Sequence, residues 1–256
     1  MNVLDLPALL PGIVLHFVRA GAFFVALPMF GTQSDSRMLR LILAITLATM
    51  FWWTGAKEVT LHGGLLQLGV LAAQESLIGF AAGYAVSLLT AAVATGGELI
   101  SHEMGFTMAQ VVNPETGKQS AVFAELLEAC AYLLIFALDL HHAALHVLGA
   151  AYEALPVGHA FDAAAVYERL REMVAATLQY GVRYALPVLG TMLLLTAGFV
   201  ILARAVPNIN LMEFSFAARI LLALLGAIWF LAEGTPFLRA MFDTMLHGAG
   251  QLFART

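Results

Sequence analysis

The chain has 256 residues, 61% hydrophobic and only 11% charged, with a mean hydropathy of +0.86. Soluble domains carry roughly 25% charged residues, so the composition excludes that class and points to a polytopic integral membrane protein. A net charge of −5 leaves no basic footprint for nucleic acid.

The N-terminal Met1–Gly12 stretch lacks a basic region and carries Asp5, which argues against a cleavable signal peptide. A span needs about 20 mainly apolar residues. The first such run covers residues 9–30 and is ended by Pro28 and Gly31, with a polar turn around Asp35 and Arg37. The second, 39–56, stops at Gly55, Lys57 and Glu58. The third, 65–95, would be roughly 45 Å long, against a hydrocarbon core of about 30 Å. It also carries Gln74 and Glu75 near its middle. A mid-bilayer carboxylate is costly unless it faces protein or water, so this helix is expected to be kinked, strongly tilted or only partly in lipid. Gly79 and Gly83 form a GxxxG pair that Ala72 and Ser87 extend. Such a face lets a second backbone approach, within the chain or on another subunit.

The fourth run, 121–138, contains Glu125 and Glu128, with Asp139 at its end; these and Glu75 are expected as buried charges seeking partners from neighbouring subunits. The lone Cys130 reads as packing. Pro156 and Gly158 lead into an amphipathic segment, 162–173, with Glu168, Arg169, Arg171 and Glu172 on its polar side. A run at 176–203, a break at Val206-Pro207-Asn208, a run at 211–231 and a weaker stretch at 237–253 complete a single domain over 1–256. The positive charges are too evenly scattered to assign an orientation.

His141, His142 and His146 cluster beside Asp139, and the one-turn spacing of His142 and His146 can hold zinc. No zincin motif accompanies them, so an interfacial cluster is preferred, with a proton relay or a metalloenzyme as alternatives. There is no nucleophile elbow and no phosphate-cradling loop; no enzyme, cofactor or bound metal is expected.

The polar stretch 96–120 separates two apolar runs. Gly96 and Gly97 end the long helix or allow a packing turn; Gly105 permits a bend before Phe106, Thr107 and Met108; Asn113-Pro114 starts a turn that Gly117 closes. The apolar tip suits a stopper, since Met and Phe fill irregular gaps. A plain connecting loop is the other reading.

This stretch, GGELISHEMGFTMAQVVNPETGKQ, closely resembles a segment of the FliR/SctT family of type III export-gate proteins. Glu75 with Gly79, His141-His142 followed by Leu155-Pro156-Val157-Gly158, and Arg204, Pro207 and Asn210 match further family stretches in order, over nearly the whole chain. The histidines and the Leu-Pro-Val-Gly favour the flagellar branch, while the Asn-Pro-x-Thr-Gly loop also occurs in the injectisome branch of SctT. The resemblance implies an all-α membrane protein of kinked hairpins that joins several FliP and FliQ copies in a helical cone in the bacterial inner membrane, within the flagellar basal body. It implies that secreted flagellar subunits pass through this entrance, that FlhB binds at its base, and that residues 105–120 help plug the resting pore. The rival from another class, a stand-alone secondary transporter, would need an inverted repeat, and none is visible.

Overall fold

The computed structural model describes residues 6–27, 34–54, 64–104, 111–112, 119–120, 122–159, 162–205, 211–233 and 235–253. An apolar chain in lipid must satisfy its backbone groups internally, which favours helix. The described elements are α1 (Leu6–Ala26), α2 (Ser34–Thr54), α3 (Gly64–Glu103), β1 (Val111–Val112), β2 (Gln119–Ser120), α4 (Val122–Ala137), α5 (Leu140–Ala154), α6 (Ala163–Ala205), α7 (Leu211–Glu233) and α8 (Thr235–Gly250). This is an all-α polytopic membrane protein, with one two-residue antiparallel strand pair among the described residues. By length and composition, α3 and α6 can each cross a membrane, and α4 with α5 add a third crossing if that broken pair is one span. Leu10–Ala26 and Phe214–Gly226 are shorter apolar helices.

Three boundaries differ from expectation. First, α3 does not stop at Gly96 and Gly97 but runs 40 residues to Glu103. A glycine pair weakens a helix, yet here it admits neighbours: a Cβ on Gly96 would lie 2.8 Å from the Gly181 carbonyl oxygen, and one on Gly97 would lie 3.0 Å from Ala124 Cα. Second, the amphipathic segment and the apolar run after it form one 43-residue helix, α6. Asp162 caps its start by accepting from the N–H groups of Ala164 (2.9 Å) and Ala165 (3.2 Å). No breaker separates the two halves, and Pro187 is accommodated inside the helix. Third, the histidines do not close the fourth run. The helix breaks at Asp139, which adopts φ 57, and His141 and His142 begin α5.

The chain divides into two compact units. In the first (residues 1–88, 138–174 and 244–256), Phe23, Phe24 and Leu27 of the α1 region are buried, as are Ile78 and Ala82 of α3, Leu148 and Ala151 of α5, and Leu252 and Phe253. In the second (residues 89–137 and 175–243), Ala92 and Val93 of α3, Leu127 and Ala131 of α4, Met192 of α6, and Met241 and Phe242 of α8 are buried.

Candidate functional site

Glu75 does not wait for another subunit: its partner is Arg19, a residue that the sequence analysis did not single out. Arg19 Nε donates to Glu75 Oε2 at 2.5 Å, and the two side chains are 0% and 1% exposed. The second carboxylate oxygen and one of the two terminal guanidinium nitrogens are used as well, while Arg19 Nη2 is buried without a hydrogen-bond partner among the described residues. Glu75 Oε1 accepts from the Gly158 N–H at 2.9 Å, and Arg19 Nη1 donates to the carbonyls of Leu155 (2.7 Å) and Ala151 (3.2 Å). The guanidinium carbon lies 4.6 Å from the centroid of the Tyr152 ring, and the Tyr152 hydroxyl donates to the His16 carbonyl at 2.9 Å. Buried charges survive only when paired and hydrogen-bonded, and this pair meets that condition through three elements of the first unit. The available signal was charge matching: a cation inside the first apolar run and a carboxylate inside the third.

Local geometry explains how these residues meet. Gly79 and Gly83 lie on the face of α3 that carries Glu75, against the α1 backbone. A Cβ on Gly79 would overlap the Arg19 carbonyl, and one on Gly83 would overlap the Phe23 carbonyl and sit 2.8 Å from the Ala26 methyl. The GxxxG face therefore packs inside the chain. At the other side, α5 ends at Ala154, and Leu155 turns extended (φ −129) while keeping its carbonyl on Arg19. Gly158 has φ 86, a conformation that L side chains resist. The Leu155-Pro156-Val157-Gly158 turn and the Glu75 helix are thus two halves of one contact.

Gly105, Phe106, Thr107, Met108, Asn113, Pro114 and Gly117 of the loop lie outside the described residues, as do Pro207 and Asn210. The loop's frame is described. Met104 is fully buried, and Val111 pairs with Ser120 and Val112 with Gln119 in antiparallel register. In the second unit Arg219 of α7 reaches the end of α3, with Nη1 3.5 Å from the Glu103 carbonyl and Nη2 donating to Thr196 Oγ1 at 3.2 Å. A cation at a helix C-terminus is electrostatically favourable. Arg204 is exposed at the end of α6. Asp139, expected as a buried charge, is 79% exposed in the single chain, at the corner where the helix breaks. Glu125 is likewise exposed, and Glu128 is half-buried and accepts from the Tyr132 hydroxyl at 2.9 Å.

The sequence matches the family described as bacterial export proteins, family 1, over residues 10–245. It is 29% identical to the flagellar biosynthetic protein FliR of Bacillus subtilis over 206 residues, 79% of either chain. It is 29% identical to that of Caulobacter vibrioides over 219 residues, 83% of this chain and 84% of the relative. With FliR of Buchnera aphidicola from Schizaphis graminum it shares 24% over 245 residues, 96% of this chain and 95% of the relative. A match that begins in α1 and ends in α8 takes in the Arg19–Glu75 contact, the loop and both long helices, and the chain belongs to the bacterial export proteins, family 1.

Proposed function

We propose that the chain is a core component of the flagellar type III protein export gate, seated in the bacterial inner membrane. Its partners would be several FliP- and FliQ-like subunits and an FlhB-like protein, and its cargo unfolded flagellar subunits. It has no catalytic role; it builds and closes a passage. The observation that carries this reading is the family match over residues 10–245. Relatives named FliR in three bacteria support the flagellar branch over the injectisome, SctT-type one. A broad aliphatic surface, with Leu65 and Leu66 at 87% and 84% exposed, supports burial against lipid or neighbouring helices in a cone of hairpins. Residues 105–120 are the plug, a segment rooted at the Arg219-held end of α3 and closed at its base by the β1–β2 pair.

Gentle detergent extraction followed by native mass measurement tests this reading. The expected product is one large particle containing the FliP- and FliQ-like chains. A well-behaved monomer that moves a small solute across vesicles would overturn it.

A further inference from the structure

Asp139 stands at the N-cap of α5, where an aspartate ordinarily gives its carboxylate to the first-turn N–H groups. Here no side-chain cap bond forms. The carboxylate faces the histidines instead, with Oδ1 3.8 Å from His142 Nδ1. The His141 and His142 rings lie beside each other, their centroids 4.1 Å apart and their planes inclined by 37°. One donor atom from each of Asp139, His141 and His142 lies within 4.8 Å of the other two. His146, which the sequence spacing pairs with His142, is not in this group.

We infer that Asp139, His141 and His142 form a binding site for a divalent transition-metal ion, with Zn2+ the best fit. Two imidazoles and one carboxylate are the donor set of three-ligand zinc sites, in which water takes the fourth position. Calcium and magnesium want six or more oxygens and are not served by imidazole. Zinc bonds of about 2.0–2.2 Å in a tetrahedral array place ligand atoms roughly 3.4 Å apart, so the three donor atoms, already within 4.8 Å of one another, need to draw together only slightly. Asp139 and His142 are exposed, so a hydrated ion reaches them and little desolvation opposes binding. Bound there, the ion ties the residue at the helix break to the first turn of α5, a tie the absent side-chain cap does not provide.

The test uses the full chain in its assembled, detergent-extracted form, purified through a tag without histidines and stripped with chelator. Cobalt(II) is titrated and followed by its visible absorption, with Zn2+ as competitor. The expected result is one saturable equivalent displaced by Zn2+, and a higher thermal midpoint with Zn2+ present. Asp139→Asn, His141→Gln and His142→Gln should each weaken binding at least about tenfold, while His146→Gln should leave it unchanged. Absence of a saturable equivalent in the unsubstituted protein overturns the site without any variant. Loss of binding in His146→Gln with none in Asp139→Asn overturns this ligand set in favour of the His142–His146 pair.

Discussion

The guanidinium of Arg19 and the carboxylate of Glu75 meet in the interior of the first unit, Nε to Oε2 at 2.5 Å, although 56 positions separate them in the chain. A pair this deeply buried makes a testable asymmetry. Removing one partner strands the other charge, which costs about 3–5 kcal/mol, whereas replacing both with apolar residues of similar size is often neutral. Glu75→Leu and Arg19→Met alone should each sharply lower the yield and thermal stability of the extracted protein. The double variant should recover much of the loss. A double variant no better than either single one would mean the polar contacts to Leu155 and Gly158 matter more than charge pairing.

Gly158 offers a separate probe of the same contact. Its φ of 86 and its N–H bond to Glu75 Oε1 both depend on the backbone conformation. Gly158→Ala should destabilise by about 1–3 kcal/mol, read as a lower melting midpoint. An unchanged midpoint would show that this turn relaxes at no cost.

Gly79 and Gly83 of α3 and Gly190 of α6 should behave in opposite ways. Gly79→Leu and Gly83→Leu drive side chains into the α1 backbone, and overpacking costs about 1–3 kcal/mol or more. Both should reduce the yield of folded protein and of any assembly built on it. A Cβ added at Gly190 would meet nothing within 4 Å, so Gly190→Ala should be neutral or raise stability by up to about 1 kcal/mol through helix propensity. Normal yield from the Gly79 and Gly83 variants would contradict the tight α1–α3 approach.

The loop prediction separates a stopper from a connector. Deleting residues 108–117 should leave the complex assembled but leaky to ions and small molecules, because the helices outside the loop hold the scaffold. A connecting loop would give the reverse, with strained helices, less assembly and no leak. Particle yield and membrane conductance measured in the same cells decide between them, and intact assembly with unchanged conductance would count against the plug.

Apolar run lengths and their Pro, Gly and charge punctuation were enough to establish a polytopic membrane protein and to mark the polar stretch whose first residues end α3 and whose last lead into α4, because periodicity and breakers act locally. The GxxxG spacing was equally legible as a packing face. What it packs against was not, since Gly79 meets the Arg19 carbonyl through a contact between distant parts of the chain. The same limit hid the partner of Glu75 and led it to be assigned to contacts between subunits. Continuity of α3 through Gly96 and Gly97 was also beyond local reading: two glycines signal a stop by propensity, and only the close approach of Gly181 and Ala124 turns them into a seam. Tertiary packing decided which polar groups are inside. A buried charge is tolerated only where a second element delivers its counter-charge and hydrogen bonds, and that delivery depends on the fold rather than on neighbours in sequence.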